Sequence, residues 1–192
     1  MSPENQAQPV RRRRADAERN REAVLSTAAR LFDERGPDVP LDEIAKTAGV
    51  ANATLYRHFR TRADLLVAVY ADEVAGLDRH SQELAGHDDP DRALTLWLRA
   101  FADHVATKRD LAQAVPDEPG RDRGAQFASW HSTMHGAAER LLTRAQAAGS
   151  VRADLTTRDL LTLVSGIALT GCSGGQLQLL LDLIRDGYRR PA

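Results

Sequence analysis

His131 and His135 stand four residues apart in this 192-residue chain. On one helix face that spacing could let them share a metal ion. Ser132 lies between them, where a zinc-peptidase helix needs a glutamate base. No carboxylate follows at a fixed spacing, and the single cysteine, Cys172, is far away in sequence. No metal site is expected. Asp88 and Asp89 fall in a linker without an acid–base partner, and neither a glycine-rich phosphate loop nor a nucleophile elbow occurs. The chain is therefore not read as an enzyme, and no cofactor is expected. Two aromatic stripes offer binding chemistry instead. Trp97, Phe101 and His104 recur at i, i+4 and i+7, and Trp130, His131, Met134 and His135 form a second group beside Phe127. Aromatic residues make up only 5% of the sequence, so their clustering fits a ligand cavity. An aromatic core stripe fits equally well.

The elements that carry these residues read as helices throughout. Prolines punctuate the chain at 37, 40, 90, 116 and 119, and no alternating strand pattern or internal repeat appears between them. Residues 1–15 read as a disordered basic arm ending in Arg11–Arg14. A first helix runs from about Asp16 to Arg35, with Val24, Leu25, Ala28, Ala29 and Phe32 on one face, and Gly36-Pro37 stops it. Short helices follow at about Leu41–Ala48 and Asn52–Phe59, the second with Leu55, Tyr56 and Phe59 as its apolar residues. Thr61, with Asp64 three positions on, predicts the capped start of a long fourth helix reaching about Leu84. Further helices are predicted at about Pro90–Val115, Gly124–Ala148, Thr156–Leu169 and Gln176–Tyr188.

The segment Leu41–Leu66, LDEIAKTAGVANATLYRHFRTRADLL, has the plan of a helix-turn-helix. Gly49 permits the positive φ that such a turn commonly needs, and Ala45 leaves room where the two helices cross. In this plan the second helix enters the major groove while the first buttresses it. The plan alone is also compatible with a helical module that binds protein.

The full string resembles the TetR/AcrR family of transcriptional regulators, through Ile44-Ala45, Ala48-Gly49-Val50, Thr54-Leu55-Tyr56, His58-Phe59 and Arg62. The resemblance is strong over about residues 16–70. It implies an all-α fold, with a three-helix DNA-binding domain over residues 16–60 followed by a larger helical ligand-binding and dimerisation domain over 61–192. It implies phosphate contacts from Tyr56, His58 and Arg62, and from Thr54 in some members. Asn52, Ala53 and Arg57 would lie nearest base edges, and Thr47 would reach the groove from the preceding helix. Phosphate contacts fix register and base-edge contacts select sequence; Asn pairs bidentately with adenine and Arg with guanine. Two positions depart from the family. Ala51 stands where serine is frequent and Pro40 where threonine is frequent, and each loses a capping hydroxyl. Asn52 is then a candidate to cap its own helix.

The resemblance further implies a homodimer joined through the last two helices. Leucines nearly encircle both of them, from Leu160 to Leu169 and from Leu177 to Leu183. The regulator expected is a repressor that binds a palindromic operator in double-stranded DNA and is released by a small-molecule effector. Its pocket residues would be Trp97, Phe101, His104, Phe127, Trp130, His131 and Met134.

Charge and composition bound the setting. Residues 1–60 carry 11 Lys/Arg against 9 Asp/Glu, and the remainder 15 against 18, a modest asymmetry whose sign suits a DNA-reading front end. A lone cysteine and an N-terminus without an apolar run point to the cytoplasm. Leu160–Leu181 is free of charge over about the length of a membrane span. Gly171, Gly174 and Gly175 interrupt it, and two buried helices joined by a turn are expected rather than a membrane segment.

Overall fold

Residues 7–114, 122–172 and 174–188 are described by a computed structural model. They form eight helices: α1 (Ala7–Arg35), α2 (Leu41–Thr47), α3 (Asn52–His58), α4 (Arg62–Leu84), α5 (Pro90–Ala114), α6 (Arg123–Ala147), α7 (Thr157–Ala168) and α8 (Gly174–Tyr188). The all-α architecture expected from the punctuation is what is found. No described helix is long and apolar enough to cross a membrane.

The basic arm differs from expectation. α1 begins at Ala7, so residues 7–15 belong to a helix and only residues 1–6 of the arm lie outside the described residues. Ala, Gln and Arg, which fill most of residues 7–15, are strong helix formers. Pro9 sits in the first turn, where its missing N–H would have had no helical partner.

By their contacts the described residues fall into two units, one within Met1–Tyr70 with Asp110–Pro116 and the other within Ala71–Arg109 with Asp117–Ala192. The first therefore runs past the expected boundary at residue 60. The cause is the start of α4, whose Leu65, Leu66 and Val69 are fully buried together with Val24, Ala28, Ile44 and Leu55. Within this unit α1, α2 and α3 pack on one another. α2 ends in a Schellman turn: Val50 N–H donates to Ala45 O (3.0 Å), Gly49 N–H to Lys46 O (3.2 Å), and Gly49 takes φ +71°. The start of α4 is closed reciprocally. Asp64 N–H donates to Thr61 Oγ1 and Thr61 N–H to Asp64 Oδ2, both at 3.1 Å.

The second unit is built on the remainder of α4, α5 as far as Arg109, and α6 to α8. Trp97 is fully buried, stacks on Phe101 (centroids 5.5 Å apart) and donates its indole N–H to Leu77 O at 2.9 Å. Arg185 of α8 donates through Nε and Nη2 to Oδ2 of the buried Asp91 (3.0 and 2.8 Å), and Tyr188 bonds Thr95 (3.2 Å), so α8 is tied to α5. Thr156 and Asp159 form a capping box at the start of α7.

Candidate nucleic-acid interface

Helix α3 has seven residues, too few to persist alone, and tertiary packing holds it. Leu55 and Phe59, four apart, are the buried pair, and the Arg21 guanidinium of α1 covers the Phe59 ring at 5.9 Å. Asn52, Ala53, Tyr56 and Arg57 are exposed, as is Thr47 at the end of α2; Thr54 and His58 are half-buried. The seven polar, small and aromatic candidates of α2 and α3 are thus brought to the accessible part of one short helical pair.

The expected cap of α3 is what changes at these positions. Tyr56 is 45% exposed. It follows Leu55 by one residue, about 100° around a helix, and cannot share the inward side that Leu55 and Phe59 occupy. Asn52 does not cap α3. Ala51 is the N-cap, with no side-chain cap bond, and Asn52 is already the first helical residue. Its amide is therefore not spent on that cap. Arg62, expected on a phosphate, is half-buried at the first residue of α4, where its Nη1 donates to Pro37 O (2.6 Å) and Val39 O (2.7 Å).

Arg57 lies along its own helix, donating through Nε to Ala53 O and through Nη2 to Thr54 Oγ1, both at 3.1 Å. Arg35, the last residue of α1, pairs with Glu43 of α2. The guanidinium holds the Glu43 carboxyl below the usual carboxylate range, and the carboxylate raises Arg35 in turn. Two exposed cations lie outside the family pattern, Lys46 in the last turn of α2 and Arg60 just after α3. Their charge was the available signal for them. The carbonyls that receive Arg62 have no side-chain signal at all.

The residues expected to line a ligand pocket are placed in the second unit, mostly as core. Trp97, Phe101, His104, Trp130 and Met134 are buried, and Phe127 meets Trp130 edge-on at 5.1 Å. His131 is exposed, one residue past the inward Trp130. An open groove of about 370 Å3 lies elsewhere in this unit, lined among others by Leu155, Leu160, Leu163, Ile184 and Tyr188. None of the seven expected residues lines it. Among the described residues no three His, Cys, Asp or Glu side chains stand together as a metal site would require.

Residues 24–69 match the family model described as bacterial regulatory proteins, tetR family, and residues 89–190 match that of the SbtR-like transcriptional regulator C-terminal domain. The crystal structure of the TetR transcriptional regulator SCO0520 from Streptomyces coelicolor is 36% identical, over 90% of this chain and 99% of that one, with a TM-score of 0.80. A TetR transcription regulatory protein from Mycobacterium vanbaalenii is 33% identical over 92% and 99%, with a TM-score of 0.76. An HTH-type transcriptional regulator of Staphylococcus aureus (strain USA300) is 43% identical over 53 residues, which span 27% of this chain and 29% of that relative. These families and folds are those of transcriptional regulators, not of enzymes. The chain belongs to the TetR family: it is a DNA-binding transcriptional regulator with an N-terminal helix-turn-helix unit and a C-terminal helical domain.

Proposed function

We propose that the chain is a ligand-responsive repressor that binds a palindromic operator as a homodimer and leaves it when a small molecule binds the C-terminal domain. The observation that carries the DNA-reading part is the division of α3. Leu55 and Phe59 are buried, while Asn52, Ala53, Tyr56 and Arg57 are exposed without any apolar neighbour on the helix to hide. Asn52, Ala53 and Arg57 read base edges, Arg57 after leaving Thr54; Tyr56, His58 and Thr54 hold phosphates, and Thr47 approaches from α2. A two-fold dimer would set its two α3 helices about 34 Å apart, one turn of DNA.

Dimerisation is supported by Leu163, Leu169, Leu179 and Leu183, which leave 47–58% of their surface exposed on α7, its end and α8. Exposed leucines clustered on two consecutive helices mark an interaction surface. A small-molecule effector is supported by the fold, which is shared with a FadR from Bacillus subtilis solved in complex with stearoyl-CoA (TM-score 0.60). The effector would be taken up among the aromatic residues of α5 (Trp97, Phe101 and His104) and of α6 (Phe127, Trp130 and Met134). Helix α4, which contributes residues to both units, would carry the change to the DNA-reading helices by favouring a second conformation.

The test is selection of duplexes from a randomised pool by the purified chain, followed by titration of the enriched sequence at several salt concentrations. Enrichment of a two-fold-symmetric site with steep salt dependence is expected. Binding that is weak and indifferent to sequence would sink operator recognition and favour a protein-interaction role for the first unit.

A further inference from the structure

Along the inward side of α4, Val74, Leu77 and Leu84 are buried, and Ser81 stands among them with no exposed surface at all. A serine at that place forgoes the apolar burial that the neighbouring leucines gain. Its hydroxyl is fully engaged instead. Ser81 Oγ donates to Asp78 O at 2.8 Å and accepts from Nη1 of Arg140, a residue of α6 that lies 59 positions further along the chain. The same guanidinium pairs with Asp78, whose Oδ1 is 3.4 Å from both Nη1 and Nη2. Gln82 Nε2 donates to the other carboxylate oxygen at 2.8 Å and holds it in place. One turn along α6, Arg144 donates through Nη2 to His87 O, in the turn that follows α4. Two arginines on one face of α6 thus hold the C-terminal end of α4.

Apolar contacts alone allow one helix to slide on another at little cost. A polar group set in an apolar seam is satisfied at one register only, and so it specifies that register. We propose that the Arg140–Ser81 bond, with Asp78 beside it, sets the register of α6 on α4 and is the link by which a shift of α6 reaches α4. Arg140 is then a positioning residue for DNA binding. α6 also carries Trp130 and Met134, and Met134 lies six residues before Arg140, about 9 Å along the helix axis. A small displacement of α6 by a molecule taken up beside those side chains would draw the guanidinium off the hydroxyl. This rests on the reading that the C-terminal domain governs DNA binding through α4. On that reading, the conformation in which Trp97, Trp130 and Met134 are buried is the one that holds DNA.

The experiment measures melting midpoints of the full chain and its affinity for the duplex that the wild type enriches from a randomised pool. Ser81→Ala, Arg140→Met, their combination, Arg140→Lys and Arg152→Met are compared with the wild type. Ser81→Ala places a better helix former in an apolar seam and is expected to melt no earlier. It should nevertheless bind severalfold more weakly, up to about tenfold, as loss of one charge-assisted bond allows. Arg140→Met should weaken binding to a similar degree, and the combination no further than the weaker single variant. Arg140→Lys keeps one donor without the fork and should recover part of the loss. Arg152→Met removes the same charge from an exposed pair with Asp154 in the same unit and should bind as the wild type does. Unchanged affinity in Ser81→Ala overturns the proposal. So do losses that add in the combined variant, losses that follow the melting midpoints across the set, or an equal loss in Arg152→Met. Should Arg140→Met not fold, Arg140→Gln takes its place by the same criteria. A wild type that enriches no duplex overturns the reading beneath the proposal as well, whereas a wild type that binds its duplex beside unaffected variants overturns the proposal alone.

Discussion

Arg57 and Thr54 are joined on α3 by a 3.1 Å hydrogen bond from the guanidinium Nη2 to the threonine Oγ1, one helical turn back. With the second bond from Nε to Ala53 O, it lays the longest exposed donor of α3 along the helix instead of out from it. Both bonds are exposed, so each is worth little against water and neither would hold the arginine from a guanine edge.

Arg57→Ala is therefore expected to act mainly on specificity. Binding to the selected duplex should weaken by about 1–3 kcal/mol, and the preference should relax at one base pair in each half-site. Competition binding against single-base variants of the duplex measures both effects. An equal loss across all variants would reassign Arg57 to the phosphate backbone. Arg57→Lys keeps the charge but not the planar fork, and should restore overall affinity more than selectivity.

How much of this was legible in the sequence depended on the kind of signal. Elements with strong punctuation were readable nearly to the residue. Pro90 opens α5, Thr61 and Thr156 cap α4 and α7, and Gly49 closes α2 with the required positive φ. The inward Val24, Leu25, Ala28 and Phe32 of α1 and Leu55 and Phe59 of α3 follow from periodicity. The details that the sequence does not show share a cause. Arg62 bonds backbone carbonyls 23 and 25 residues upstream, and backbone acceptors leave no mark in a residue pattern. The boundary at Tyr70 depends on which core the first turns of α4 fill, a tertiary fact. The aromatic stripes of α5 and α6 were visible as stripes, but whether such a stripe is packed shut is decided by its neighbours.

Trp97 provides a direct measure of that packing. It is wholly buried, stacked on Phe101 and bonded to Leu77 O. Trp97→Ala is expected to destabilise the chain by about 3–5 kcal/mol, and Trp97→Phe, which keeps most of the ring volume but loses the indole donor, by about 1 kcal/mol. Urea denaturation gives both values. The folded fraction of Trp97→Phe should bind the selected duplex as the wild type does; weaker binding by folded protein would place Trp97 in the regulatory path and not only in the core.

Acid should loosen the link between α1 and α2. The Arg35 guanidinium holds the Glu43 carboxyl below its ordinary value. A carboxyl lowered on folding contributes stability that is present above its unfolded pKa, about 4.3, and is lost as pH falls through the lower folded value. Glu43→Gln should therefore melt earlier than the wild type near neutral pH, with the two midpoints converging in acid below about pH 4. The pair is exposed, so the difference should be small and should shrink in high salt. Melting curves across that pH range at two ionic strengths provide the check, and a difference that persists in acid would show that Glu43 acts through packing and not through its charge.

The proposed dimer makes the sharpest demand on α8. Leu179 and Leu183 lie four residues apart on one helix face, each 58% exposed, while Leu177 and Leu181 between and before them are buried. A helix that already buries one leucine pair needs no second pair for its own core. Two leucines more than half in water at helical spacing forgo about 1 kcal/mol or somewhat more each that full burial would return. Leu179→Glu and Leu183→Glu place like charges across a two-fold interface, and should convert a dimer to a folded monomer. Sedimentation equilibrium reads the mass, and circular dichroism verifies that the helices persist. Binding to a single half-site should survive in the monomer, while affinity for the full palindrome should fall steeply because the second α3 is no longer tethered. Variants that remain dimeric would move the interface off this face of α8. Variants that become monomeric yet bind the full site as tightly as before would remove the reason for a two-fold operator.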